Sequence, residues 1–244
     1  ATLELAVEDI AGELDDCALQ ALVAAETLHL FDLHKGPLLR VKLLRMAADD
    51  HALIITLHHI VSDGWSMGIM VDELVALYAA YSANKTAQLP AVPVQYADYA
   101  VWQRQWMEAG ERERQLNYWT AQLGDGEQPL LELPTDRPRP SEQSYRGARE
   151  DIALSAELAA GLKHVAQREN VTLFALLLAS FQTLLHRYSG QADIRVGVPV
   201  ANRNRVETEG LIGFFVNTQV LKAEFDSQQT FRSLLQQVKR TVLD

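Results

Sequence analysis

The sequence predicts a mixed α/β or α+β fold built as two lobes, and three observations carry the prediction. Segments of strand composition alternate with segments of helical periodicity along the whole chain. A stretch rich in proline and glycine, 124–149, interrupts the alternation near its middle. Finally, 244 residues with 48% apolar side chains suffice for one large domain or two modest ones.

The first residues, Ala1-Thr2-Leu3-Glu4-Leu5, read as a strand already under way. Residues 13–29 carry Leu14, Ala18, Leu19, Leu22, Val23 and Ala25 at helical spacing. Two β-rich runs follow, 38–46 and 52–60, and the polar segment 47–51 between them predicts a hairpin. Gly64 ends that pattern, and Ser66 is placed to cap a helix with Met70, Leu74, Leu77, Tyr78 and Tyr81 on its apolar positions. Residues 96–109 and 112–123 read as two helices parted at Gly110. Gly124, Gly126, Pro129, Pro134, Pro138 and Pro140 then lie among charges without a helical period, as in an extended chain joining two lobes. The boundaries drawn are 1–130 for the first lobe, 131–147 for the linker and 148–244 for the second lobe. The second lobe opens with a strand at 148–154, a helix capped by Ser155 and an apolar helix opened by Thr172. Strands at 194–200 and 214–225 and a helix from about residue 228 complete it.

Composition narrows the chemistry. With 22 basic against 32 acidic residues the net charge is −10, which argues against nucleic acid or an anionic membrane as the main partner. Cys17 is the only cysteine, so no internal disulfide framework and no thiolate metal site is expected, and a reducing cytoplasm fits. The strongest apolar run, 173–185, is broken by Ser180, Gln182 and Thr183 and does not make a membrane span.

Candidate chemistry concentrates in one segment, His58-His59-Ile60-Val61-Ser62-Asp63-Gly64-Trp65-Ser66, where an apolar strand runs into a helix. On a regular strand His58 and His59 point to opposite faces, so they do not chelate one metal. Gly64-Trp65-Ser66-Met67-Gly68 matches the G-x-S-x-G nucleophile elbow of α/β-hydrolases. Against that match, Ser66 does not follow the strand directly, and nothing upstream resembles an oxyanion loop. The only downstream histidines, His164 and His186, also lie on predicted helices. Capping of the helix explains Ser66 more simply. What is left is the imidazole of His59 near the N–H groups of Gly64 and Trp65. Such a pair suits proton transfer from an attacking amine or hydroxyl, with the helix start facing the developing oxyanion. Asp63 either orients the ring or pins the loop through a basic partner, and spacing leaves both open. The structural alternative is a buried histidine pair satisfied by backbone carbonyls. His29, His34, His51, His164 and His186 have no comparable setting and read as structural or surface residues.

At this segment the chain resembles the condensation domains of nonribosomal peptide synthetases. His58-His59-Ile60-Val61-Ser62-Asp63-Gly64 meets the family signature HHxxxDG, followed by the typical Trp65-Ser66. Phe31-Asp32-Leu33 with Gly36-Pro37-Leu38-Leu39-Arg40 resembles the FDL…GPLLR stretch, and Tyr96-Ala97-Asp98-Tyr99-Ala100-Val101-Trp102 the YxDYAVW motif. Leu133-Pro134-Thr135-Asp136-Arg137-Pro138-Arg139-Pro140 resembles the inter-lobe linker, and Ile212-Gly213-Phe214-Phe215-Val216-Asn217-Thr218 the IGxFVNT motif.

The resemblance implies an α+β two-layer sandwich in two chloramphenicol-acetyltransferase-like lobes, both incomplete in this chain. It implies amide-bond-forming acyl transfer, in which a carrier-bound aminoacyl amine attacks a carrier-bound acyl or peptidyl thioester. Donor and acceptor peptidyl carrier proteins would deliver phosphopantetheine arms, with an adenylation domain adjacent in the same polypeptide. No cofactor or metal is implied for the domain itself. By position His59 is the family's catalytic histidine, Asp63 the loop-holding aspartate, and Gly64 the residue that lets the loop N–H approach the reacting centre. Arg203 is the candidate partner of Asp63, and His58, Trp65 and Ser66 support the site. Asn217, Thr218, Tyr96, Asp98 and Trp102 read as architectural, and Arg137 and Arg139 as solvated linker.

The family's early SxAQxR and RHExLRT patterns and its two late motifs lie outside the sequence, so a central fragment is expected, inactive and aggregation-prone when isolated. Four further readings stay open. They are a dual condensation/epimerisation domain, a non-catalytic relative that recruits carriers, acyl transfer to a free amine or alcohol instead of a carrier-bound amine, and a serine hydrolase acting through Ser66.

Overall fold

In the computed structural model, residues 5–10, 15–145 and 147–243 are described. Strand β1 (Leu5–Asp9) is followed by helix α1 (Asp16–Leu28), whose first turn is closed by Asp15 Oδ1 accepting the Ala18 N–H at 2.7 Å. The strand expected over residues 1–5 and the first turn expected for the helix fall largely outside the described residues. The chain then forms β2 (Leu39–Arg45) and β3 (His51–Leu57), an antiparallel hairpin in which Leu39 faces Leu57 and Arg45 faces His51. β1 lies parallel to β2, with Leu5 opposite Val41, as a helical crossover allows, so the sheet order is β1-β2-β3. Leu44, on β2, is fully buried.

Strand β3 ends earlier than the apolar pattern predicts. The backbone leaves the sheet at His58, and His59–Val61 form one 3₁₀ turn before α2 (Gly64–Ser82). The helix cap also differs from expectation. Asp63, not Ser66, is the N-cap, and Ser66 lies inside the first turn. The expected break between the next helices is present: α3 (Tyr96–Trp106) and α4 (Arg112–Leu123) are parted by Gly110 at φ 110°, a left-handed backbone that glycine adopts readily.

No helix or strand forms from Gly124 to Ser155 among the described residues. The strand predicted at 148–154 is therefore not formed. Its residues have no neighbouring strand to pair with, and Ile152 is 85% exposed. Ser155 and Thr172 cap α5 (Ala156–Arg168) and α6 (Leu173–Ser189) as their positions predict. Strand β4 (Asp193–Val200), the short helix α7 (Val206–Glu209), β5 (Asn217–Glu224) and α8 (Phe231–Leu243) complete the chain. The mixture of helices and sheets is the class the sequence predicts.

The residues group into two compact units, Ala1–Gln105 with Ala201–Asn217, and Trp106–Val200 with Thr218–Asp244. In the second unit α5, α6 and α8 enclose a core that includes Ala179, Ala223, Leu235 and Val238, beside the paired strands β4 and β5. The buried Gln182 donates to the Leu221 carbonyl at 2.9 Å. In the first unit, residues 201–217 join the β1-β2-β3 sheet and α2, although the sequence assigns them to the second lobe. Helix α4, assigned to the first lobe, groups with the second unit. The hydrogen bonds described next account for the first of these placements.

Candidate active site

Asp63 is the centre of the first unit. Oδ1 accepts the Ser66 N–H at 2.8 Å and an Nη2 hydrogen of Arg203 at 3.1 Å, while Oδ2 accepts the Phe215 N–H at 3.0 Å. Both members of the ion pair are buried, Asp63 at 2% and Arg203 at 8% exposure. Burial alone would push the Asp63 carboxyl up. The Ser66 N–H, the Ser66 hydroxyl, the Phe215 N–H and Arg203 outweigh it and hold the carboxyl below its usual range. Arg203 Nη1 donates to backbone, to the Thr208 carbonyl and, at 2.8 Å, to that of Leu211, while its buried Nε–H makes no hydrogen bond among the described residues. Its guanidinium lies 4.0 Å over the Phe215 ring. Ion pairing, carbonyls and an aromatic face together satisfy a charge that burial would otherwise make costly.

Ser66 is fully buried. Its hydroxyl lies 2.7 Å from Asp63 Oδ1 and 2.9 Å from the Gly213 carbonyl, and it accepts from Arg203 Nη2 at 2.8 Å and from the Gly213 N–H at 3.0 Å. A hydroxyl so engaged ties α2 to the 201–217 segment and offers no open approach to an electrophile. Trp65 makes a second tie, its indole N–H donating to the Glu209 carbonyl at 2.9 Å.

The histidines are treated differently. His58 Nδ1 accepts the Ile60 N–H at 3.1 Å, which is what turns the chain out of β3, and its ring meets Phe31 edge-on at 5.9 Å. Phe31 in turn carries the Arg40 guanidinium 3.9 Å above its face. Arg40 closes the end of α1 by donating to the Glu26 and His29 carbonyls, both at 2.9 Å, and to the Glu26 carboxylate at 2.7 Å. His59 is exposed, and among the described residues neither imidazole nitrogen makes a hydrogen bond. Its ring sits edge-on to Phe214 at 5.3 Å. Asp63 is wholly engaged elsewhere, so of the two roles open to it in the sequence the loop-pinning one describes this geometry. Gly64 lies at the first turn of α2, where helical N–H groups lack intrahelical partners, and a Cβ there would meet nothing within 4 Å. Its backbone is not left-handed, so the residue is not required by conformation.

The structure thus brings Asp63, Ser66 and Arg203 into direct contact, ties Trp65 to the same segment, and leaves His59 open beside Phe214. Sequence reasoning missed Gly213, Phe214, Phe215 and Tyr96 as parts of the site. The Tyr96 hydroxyl donates to the Phe214 carbonyl at 2.7 Å, and its ring covers Gly213 so closely that a Cβ on Gly213 would lie 2.2 Å from Tyr96 Cδ2. Residues 214–216 are read as the start of a strand, but the Phe214 carbonyl and the Phe215 N–H are spent on this network, and β5 begins only at Asn217. The available signal was Gly-Phe-Phe inside the quoted motif, which breaks the alternation a half-buried strand shows. Asp98 accepts the Gln95 N–H at 2.8 Å and closes the start of α3, and Arg205 stacks 4.2 Å over Trp102. Among the described residues no group of three His, Cys, Asp or Glu side chains could hold a metal ion. No helix there is long and apolar enough to cross a membrane.

The family model described as "Condensation domain" matches residues 1–244. A linear gramicidin synthase from Brevibacillus parabrevis is 55% identical over 233 residues, which are 96% of this chain and 3% of that protein. Among solved structures, the X-domain in complex with OxyB from teicoplanin biosynthesis superposes with a TM-score of 0.85 at 26% identity, over 99% of this chain and 53% of that one. A four-domain nonribosomal peptide synthetase bound to AMP and glycine gives a TM-score of 0.81 at 28% identity, over 100% of this chain and 18% of that one.

Proposed function

The chain belongs to the condensation-domain family, and on that premise we propose that it forms peptide bonds within a nonribosomal peptide synthetase. Condensation domains of such synthetases are amide-bond-forming acyltransferases, and the chain spans only a few per cent of the length of the synthetases it matches. The observation that carries the reading is the division of labour in HHxxxDG. Asp63 is locked in a buried staple with Arg203 and Ser66, while the His59 imidazole stands open, both nitrogens unengaged among the described residues.

In the proposed reaction the amine of a carrier-bound aminoacyl group attacks the carbonyl carbon of a carrier-bound thioester. His59 positions the amine and takes its proton. The first N–H groups of α2, at Gly64 and Trp65, face the developing oxyanion. Collapse breaks the C–S bond, the sulfur takes the proton held on His59 and leaves as the thiol of the donor arm, and the peptide stays on the acceptor. The phosphopantetheine arms belong to donor and acceptor carrier proteins, and an adenylation domain accompanies them in the same polypeptide. Residues 1–130 and 148–244 belong to successive lobes of the intact domain in this reading, joined through 131–147.

The test is to mix the synthetase module containing this chain with donor-loaded and acceptor-loaded carriers and to weigh both carriers. Transfer of the acyl group to the loaded acceptor is the expected result. Transfer to a free amine without an acceptor carrier would place the chemistry elsewhere within acyl transfer. A recruiting role gives carrier binding but no transfer.

A further inference from the structure

We infer that Phe214 positions the His59 imidazole, supplying the orientation but not the hydrogen bond that a carboxylate gives in a Ser-His-Asp triad. The inference rests on the catalytic reading of His59. An imidazole that shuttles a proton must be held at one orientation, and a second hydrogen-bonding group usually holds it. Here no such group is present among the described residues. The nearest candidate in sequence, Asp63, has both oxygens occupied by Ser66, Arg203 and Phe215. The ring contact His59 does make is with Phe214, centroids 5.3 Å apart and planes at 89°. That edge-to-face arrangement is the preferred geometry of aromatic pairs.

Phe214 is 38% exposed, yet its backbone is anchored from three directions. Its carbonyl accepts the Tyr96 hydroxyl, the preceding Gly213 is bonded through both N–H and carbonyl to Ser66 Oγ, and the following Phe215 N–H donates to Asp63. The buried staple therefore fixes the residue that carries the ring, and the ring fixes His59. This links the structural aspartate of the motif to its open histidine through a side chain on a different segment of the chain. The same three anchors are backbone bonds, so a change of the Phe214 side chain leaves them in place.

The test uses the full synthetase module with loaded carriers and the variants Phe214→Leu, Phe214→Met, Phe214→Tyr and His59→Ala. Loss of the aromatic edge is expected to lower kcat by roughly tenfold in Phe214→Leu and Phe214→Met, with KM for the acceptor changed by less than about twofold. Phe214→Tyr keeps the ring and is expected to restore kcat. In ring-¹³C-histidine-labelled protein, the His59 resonances, assigned by their loss in His59→Ala, are expected to move in Phe214→Leu and to stay near their original position in Phe214→Tyr. Unchanged kcat in both aliphatic variants, with transfer lost in His59→Ala, overturns the positioning role alone. Transfer that survives His59→Ala overturns the function assigned to His59 and the positioning role with it.

Discussion

Gly213 is the position where a single methyl group should do the most damage. A Cβ there would lie 2.2, 2.7 and 3.0 Å from Tyr96 Cδ2, Cε2 and Cγ. The Tyr96 ring cannot swing aside cheaply, because its hydroxyl is bonded to the Phe214 carbonyl and its edge packs against Phe215 at 5.1 Å. Forcing an extra carbon into such packing costs about 1–3 kcal/mol. Displacing the tyrosine adds roughly 1 kcal/mol for its hydrogen bond. Gly213→Ala is therefore expected to destabilise the domain by about 2–4 kcal/mol, a fall in Tm of roughly 5–12 °C for a chain of this size. The assay is thermal unfolding of wild type, Gly213→Ala, Tyr96→Ala and the double variant. In the Tyr96→Ala background the methyl group has room, so its cost should drop below about 1 kcal/mol, a coupling that additivity between independent sites forbids. A Tm change in Gly213→Ala under about 2 °C, or an equal cost in both backgrounds, would refute the reasoning.

Three further outcomes follow from the same network. Asp63→Asn removes the charge that balances buried Arg203 and should cost about 3–5 kcal/mol near neutral pH. Because the folded-state carboxyl is held below its ordinary value of 3.8, the charge-dependent part of that stability is present above about pH 4 and is lost as the pH falls through the folded value. Denaturant unfolding should accordingly show the gap between wild type and variant narrowing only in acid. Ser66→Ala leaves the Gly213 N–H and carbonyl unpaired and should cost roughly 1–3 kcal/mol, measured by the same unfolding curves. Arg40→Met removes the closure of α1, so amide exchange over Asp16–Leu28 should accelerate by about tenfold or more while α6 keeps its protection.

Much of this arrangement was legible in residue order, and the exceptions have physical reasons. The α1, hairpin, α5 and α6 segments announce themselves through local signals, namely periodicity, a polar turn and a capping hydroxyl. Those signals act within a few residues. The end of β3 was misplaced because Ile60 and Val61 continue the apolar run, while the event that ends the strand is a bond from the Ile60 N–H to the His58 ring. Ser66 and Asp63 are both good N-caps, and only the 201–217 segment, which claims the serine hydroxyl, makes the aspartate the cap. The strand expected at 148–154 failed because pairing needs a neighbour that propensity cannot supply. In the site, HHxxxDG singled out His59 and Asp63, and residue order suggested Arg203. Gly213, Phe214 and Tyr96 stayed hidden because their roles are contacts between distant segments, as across the 118 residues from Tyr96 to Phe214, and a motif read one segment at a time does not reveal which aromatic ring rests on which glycine.

The central claim is that the HHxxxDG segment and the residues that follow it divide into an open base and a buried staple, with Ser66 in the staple. Its most direct test is single-turnover transfer between loaded carriers in the synthetase module, followed by intact-protein mass for wild type, His59→Ala and Ser66→Ala. Loss of transfer in His59→Ala, with transfer per folded molecule falling by at most about tenfold in Ser66→Ala and no acyl group on the module, is the expected result. Transfer that requires Ser66, with the acyl group found on that serine, would contradict it.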